Sequence, residues 1–456
     1  MPKTDYHLFA QAALLPDGWH QNVRLEITGG CIVAIEEGVA PTSADEKHEA
    51  IVPGVSNVHS HAFQRGMAGL AEARGPAADS FWTWRETMYR FVDRVGPEEL
   101  SAIAALAYCE MLESGFTRVG EFHYLHHDVD GASFANPAEM SGAIVAAADE
   151  TGIGLTLLPV FYAHAGFGGA PLSEGQRRFG NDVAAYARLL EAARKVSAVL
   201  PDAIVGIAPH SLRAVTGDEL EAILPLAGNG PIHIHIAEQM QEVEDCLNWS
   251  GARPVEWLLN NMPVDARWCL VHATHVTEAE AASLAKSGAV AGICPITEAN
   301  LGDGLFPVAA YLAKGGRIGI GSDSNVLIDL SEELRWLEYG QRLKLRERNV
   351  LTGDKARSTG EHIYREASKG GSLALGTAAV GIAVGQPADL ISFDPGNPSL
   401  YGRGTELLFD SWIFAAGRRG IDCVWRRGNK VVRRGAHVAR EEIVGRYRRV
   451  MAKLLL

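Results

Sequence analysis

Two patterns of apolar residues alternate through the middle of the chain. Short apolar runs at Val55 to His59, Arg118 to Phe122, Gly154 to Val160, Ile204 to Ala208, Ile232 to Ala237, Trp268 to Ala273, Val290 to Cys294 and Arg317 to Gly321 predict eight buried strands. Between them lie segments with helical spacing, among them Glu98 to Ser114, Asp182 to Leu200, Glu278 to Ser287 and Ser331 to Arg346. Strands separated by helix-length segments are the pattern of parallel βα units. Eight such units close most economically as a (β/α)8 barrel, whose chemistry forms at the C-terminal ends of the strands. A doubly wound open sheet is the alternative, but no Gly-x-Gly-x-x-Gly follows the first strand.

The chain ends follow a different pattern. Tyr6 to Ala13, Val23 to Thr28 and Cys31 to Glu36 predict strands, and so do Asp389 to Phe393, Ile421 to Trp425 and Lys430 to Arg433. This division predicts a small β-sandwich built from residues 1–53 and 379–456, around a barrel of residues 54–378. From Arg440 onward, Ile443, Val444, Tyr447, Val450, Met451 and Leu454 have helical spacing, which predicts a packing helix at the contact of a homodimer.

Lysine and arginine number 42 against 55 acidic residues, a net charge of −13, which argues against nucleic acid or an anionic membrane as partner. An anionic substrate would therefore need arginines of its own in the site. The pairs Arg426-Arg427, Arg433-Arg434 and Arg448-Arg449 lack interleaved aromatic residues and are read as solvated faces. No run of 18 apolar residues spans a membrane. The start of the chain lacks the basic-then-apolar layout of a signal peptide, and the six cysteines show no Cys-x-x-Cys spacing. Buried, reduced thiols in the cytoplasm are the expectation.

The candidate chemistry clusters at predicted strand ends. His59 and His61 stand two apart on the first strand and share a face. His233 and His235 do the same on the fifth; His235 is nearer the C-terminal end, three residues before Glu238, and His233 is assigned to the core. His272 ends the sixth strand. Asp323 follows the eighth as a lone carboxylate among small residues, a costly placement without a cation or donors nearby. Three imidazole nitrogens and one carboxylate suit a single Zn²⁺ with an open position for water; Fe²⁺ or Mn²⁺ would also fit.

At these residues the sequence resembles the amidohydrolase superfamily, and within it the formimidoylglutamate deiminases. The blocks His59 to Glu72, Ser80 to Arg85, Glu121 to Asp128, His210 to Arg213 and Thr297 to Gly304 carry the resemblance, which covers nearly the whole chain. It implies hydrolysis of N-formimidoyl-L-glutamate, a small anionic amino-acid derivative of histidine degradation, to N-formyl-L-glutamate and ammonia. It implies His59, His61, His235 and Asp323 as zinc ligands and Glu238 and His272 as a catalytic pair. Gln64, Arg85, Tyr124, His210 and Arg213 match the substrate-binding residues. One departure is Asn325, where the family commonly has His.

The residue types suit that reaction. Asp323, beside the metal, is the natural first acceptor of the water's proton. Glu238 can protonate the amidine nitrogen and then the departing ammonia, and neutral His272 can steady the tetrahedral intermediate. Arg85 and Arg213 suit bidentate grips on two carboxylates. Trp82 and Trp84 are read as core or interface residues. A deaminase of another amidine, or of a heterocyclic amine such as a purine or pterin, is the alternative, and it predicts apolar or amide side chains in place of the arginines.

Overall fold

A computed structural model describes residues 5–72, 81–353, 357–377 and 381–455. Ser80, which opens one of the family-like blocks, and the expected domain boundary at 378/379 lie outside the described residues. Eight parallel strands run in the order of the chain: Val55–Ser60, Phe116–His123, Gly154–Phe161, the split pair Ile204–Val205 and Ala208–Pro209, Ile232–Ile236, Trp268–His272, Val290–Ile293 and Arg317–Ile320. The eighth pairs with the first. The fourth meets the fifth through hydrogen bonds from His233 N to Ile207 O and from His235 N to His210 O, each 3.0 Å, which close the barrel. The fourth strand is interrupted at Gly206, where a Cβ would stand 2.5 Å from the Pro231 carbonyl oxygen. Every residue of the first, second, third, fifth, sixth and seventh strands is buried. That explains why they read as continuous apolar runs rather than alternating ones.

The chain ends form a separate eight-stranded sheet, in the order Ala436–His437, Asn429–Arg433, Ile421–Arg426, Leu390–Phe393, Glu46–Pro53, Tyr6–Leu15, Gly18–Thr28 and Cys31–Glu36. Its side chains alternate between two cores. Leu8, Leu25, Ile51, Leu390 and Trp425 pack together within the sheet, while Ala50, Val52, Ile391 and Val424 join the core of the barrel. Glu46–Pro53 was not expected as a strand, because its first half, Glu46-Lys47-His48-Glu49, carries three charges.

One expectation about the surface changes. Arg426 is not solvated: it is 3 % exposed and bonds Asp389 and Asp202, tying the end sheet to the barrel, where Asp202 also pairs with Arg118. The C-terminal helix, Arg440–Leu454, buries Ile443, Val450, Met451 and Leu454 within its own chain. It packs on the helix Pro97–Ser114, with Lys453 paired to Glu99 and Arg440 to Glu113. Val444 and Tyr447, half-buried, pack against the same core. No helix among the described residues is long and apolar enough to cross a membrane.

Candidate metal and substrate site

The strand ends converge as the barrel requires. His59 and His61 come from the end of the first strand, His235 from the fifth, and Asp323 from the turn after the eighth. Their ligating atoms all lie within 4.8 Å of one another, and all four residues are buried. The backbone locks this geometry, because Asp323 N donates to His59 O and His61 N to Asp323 O, both at 2.9 Å. Ala237, His272, Ala273, Asp323 and Asn325 all take positive φ, between 43° and 68°. Non-glycine residues pay for that conformation, and here the strain is concentrated at the rim that carries the chemistry.

The donor atoms fit a cation. Nδ1 of His61 donates to Phe122 O at 2.9 Å and Nδ1 of His235 to His210 O at 3.1 Å. Each Nε2 therefore carries a lone pair, and both face His59 Nε2, at 3.1 and 3.0 Å. Burial lowers all three imidazoles below their ordinary range, His59 to about 3, so they are neutral. Two imidazole lone pairs thus converge on His59 beside the Asp323 carboxylate, and three imidazoles with one carboxylate oxygen are a donor set that suits a divalent cation. Asp323 Oδ1 completes the group, 3.3 Å from His59 Nε2 and 3.4 Å from His61 Nε2. Burial opposes ionisation of Asp323, but the hydrogen bond with His59 and the surrounding imidazoles outweigh it and hold the group ionised. His233, by contrast, bonds the Ala374 carbonyl at 2.7 Å inside the core.

A row of carboxylates stands beside this cluster. His272 Nε2 lies 3.8 Å from Glu238 Oε1 and 3.7 Å from Asp323 Oδ2, and its Nδ1 lies 3.3 Å from Glu298 Oε1. Burial pushes the imidazole down, yet Glu238, Glu298 and Asp323 together raise it to about 10. The carboxylates thus favour the imidazolium where the sequence reading assigned a neutral ring, whereas a divalent cation beside Asp323 acts in the opposite direction. Burial raises Glu238 above the usual carboxylate range, despite the opposing field of His272 and Arg213.

One cavity joins these groups to the expected substrate residues. His61, Gln64, Arg85, Tyr124, His210, Arg213, His235, Glu238, His272 and Asp323 all line it, with His59 fully buried behind. Gln64 Nε2 donates to Tyr124 OH at 2.9 Å, and Arg213 Nε is buried without a hydrogen-bond partner among the described residues. Burial, reinforced by Arg213 and Arg85, holds His210 neutral. Trp84, read from sequence as a core or interface residue, lines the cavity too, as do Met88, Tyr89, Tyr162, Phe179, Thr297, Leu301 and Ser324. Glu298 and Tyr162 were missed. The first lay inside a family-like block and the second directly follows the third strand, but neither has a spacing that signals a role. Asn325 is fully buried and does not line the cavity; its amide bonds Ser60, Ser322 and the His61 carbonyl.

Known proteins share this architecture. Residues 50–431 match the amidohydrolase family model, and residues 6–49 match the N-terminal domain of formimidoylglutamate deiminase HutF. A formimidoylglutamate deiminase of Pseudomonas aeruginosa is 51% identical over 98% of this chain and 99% of its own length. A solved amidohydrolase from Brucella melitensis superposes with a TM-score of 0.96 at 53% identity, over 99% of this chain and 100% of that one. An adenosine deaminase from Xanthomonas campestris with bound zinc shares the fold, with a TM-score of 0.80 at 23% identity over 100% of this chain and 99% of that one. The chain therefore belongs to the amidohydrolase family and, within it, to the formimidoylglutamate deiminases.

Proposed function

We propose that this protein hydrolyses N-formimidoyl-L-glutamate to N-formyl-L-glutamate and ammonia, in histidine degradation, with one metal ion per chain. The observation that carries the reading is the pairing, at one cavity, of a cluster of three neutral histidines and one ionised aspartate with two guanidinium groups in an otherwise acidic protein. A formimidoyl group needs an activated water, and the glutamate part brings two carboxylates that a protein of charge −13 would otherwise repel.

His59, His61, His235 and Asp323 hold the ion, for which nitrogen and oxygen donors favour Zn²⁺ over softer metals, with Fe²⁺ or Mn²⁺ as substitutes. When bound, it supplies Lewis acidity toward a water molecule and the amidine. Asp323 accepts the proton that the water loses on attacking the amidine carbon. Glu238, whose carboxyl burial raises above the usual carboxylate range, gives a proton to the amidine nitrogen and, once it has taken up the proton that the water lost to Asp323, gives a second to the departing ammonia. His272 holds the attacking oxygen by a hydrogen bond from Nε2. Arg85 and Arg213 grip the two carboxylates, while Gln64, Tyr124 and His210 shape the wall between them. The balance is one amidine C=N converted to C=O, with water consumed and ammonia released. The protein acts as a homodimer in the cytoplasm.

The test is a substrate comparison with metal-analysed protein. Ammonia from N-formimidoyl-L-glutamate, with none from adenosine or 8-oxoguanine, is the expected result. Deamination of a neutral heterocycle without activity on the amidine would assign the arginines another role.

A further inference from the structure

Tyr162 directly follows the third barrel strand, Gly154–Phe161, and lines the cavity beside Arg85. Its amide donates to Asn181 Oδ1 at 3.1 Å, which fixes the backbone at the strand end. Two donors reach the hydroxyl oxygen: Gln176 Nε2 at 2.8 Å and Arg85 Nη2 at 3.3 Å. The orientation of Gln176 is settled by its neighbours, since its Oε1 accepts from the Ser173 backbone N–H and from Ser173 Oγ, each at 2.9 Å. The NH₂ end must therefore face Tyr162, and a guanidinium nitrogen can only donate. Both lone pairs of the phenol oxygen are used. Its proton has no acceptor among the described residues, although the residue is only 5 % exposed.

A hydroxyl in that state can do one thing, which is donate. Tyr89 OH also receives a bond from Arg85, through Nε, and lines the same wall. Around Tyr162 the described residues Arg85, Tyr89 and Gln176 present donors, which matches a carboxylate and mismatches an amide NH₂ or a neutral ring bearing N–H groups.

Resting on the proposed reaction, we infer that Tyr162 is a specificity-determining residue, which donates its phenolic proton to the substrate carboxylate gripped by Arg85. Gln176 acts behind it as a positioning residue, spending the lone pair that would otherwise let the hydroxyl accept.

The experiment measures binding, by calorimetry on the metal-loaded protein, of N-formyl-L-glutamate, its side-chain amide N-formyl-L-glutamine and its α-amide N-formyl-L-isoglutamine. Tyr162→Phe keeps the ring and removes only the hydroxyl. It is expected to weaken the dicarboxylate and one of the two amides by about ten- to a hundredfold, the usual range for a hydrogen bond to a charged group, and to leave the other amide within about threefold. The spared ligand identifies which carboxylate faces Arg85. An undiminished affinity for the dicarboxylate, or an equal loss on all three ligands, overturns the inference. If the unmodified protein releases no ammonia from N-formimidoyl-L-glutamate, the proposed reaction falls, while this binding pattern still decides the role of Tyr162.

Discussion

Replacing Asn325 by alanine cuts the tie between the turn after the eighth strand and the end of the first. Asn325 Nδ2 donates to Ser60 Oγ and to the His61 carbonyl, both at 3.1 Å, and its Oδ1 accepts from Ser322 Oγ at 2.6 Å. At about 1 kcal/mol net for each buried hydrogen bond, their loss costs about 3 kcal/mol. The residue also sits at φ 55°, where asparagine is tolerated and alanine adds about 1 kcal/mol of strain. Asn325→Gly removes the same hydrogen bonds without that strain, so the two variants separate the terms: about 4 kcal/mol for alanine and about 3 for glycine. The assay is urea unfolding of the metal-free protein, followed by the same measurement with Zn²⁺. Metal affinity should fall alongside stability, because the His61 carbonyl and Ser322 belong to the frame that holds two ligands. KM should stay within about threefold, since Asn325 does not line the cavity. A loss below about 1 kcal/mol in the alanine variant, or a glycine variant less stable than the alanine one, would refute this reasoning.

Three other outcomes are expected. Chelation should abolish ammonia release and lower the unfolding midpoint, one equivalent of Zn²⁺ should restore both, and His235→Asn should fail to retain metal by elemental analysis. Glu298→Gln weakens the bond that holds His272 Nδ1, so kcat should fall about ten- to a hundredfold with KM little changed, read from steady-state kinetics. Glu121, buried behind the first strand, is raised to about 7, chiefly by burial and against the hydrogen bonds it accepts from Ala62 N and Tyr108 OH. A raised carboxyl favours the fold while protonated, so its stabilising effect is full below about 4.5 and is lost as pH rises through about 7. The stability difference between Glu121→Gln and the unmodified protein should therefore grow in favour of glutamine across that window and stay level outside it, as measured by urea midpoints at several pH values.

Elements buried on every side were legible because their sequence is apolar throughout. Trp268–His272 and Val290–Ile293 stand within a residue or two of where the pattern placed them. The strand Glu46–Pro53 was hidden because one half lies in solvent and carries charge. The split fourth strand was read as one run, since nothing in Ile204 to Ala208 records the close approach of Pro231 to Gly206. In the site, residues that repeat at a strand period or end a strand announced themselves: His59 with His61, His235, and Asp323 among small neighbours. Glu298, Tyr162 and Asn325 act through partners brought from distant segments, and no local spacing encodes such a contact. Arg426 shows the converse, a basic pair that local pattern assigns to solvent and tertiary structure buries between two carboxylates.

In the proposed reaction the cavity adds water to the amidine carbon of a substrate with two carboxylates. One incubation tests it most directly: metal-analysed protein with N-formimidoyl-L-glutamate in ¹⁸O-labelled water, products identified by mass. Ammonia in equal amount to N-formyl-L-glutamate, with one ¹⁸O in the formyl group, is the expected result. Formamide and glutamate as products, or no turnover by protein carrying a full complement of metal, would contradict it.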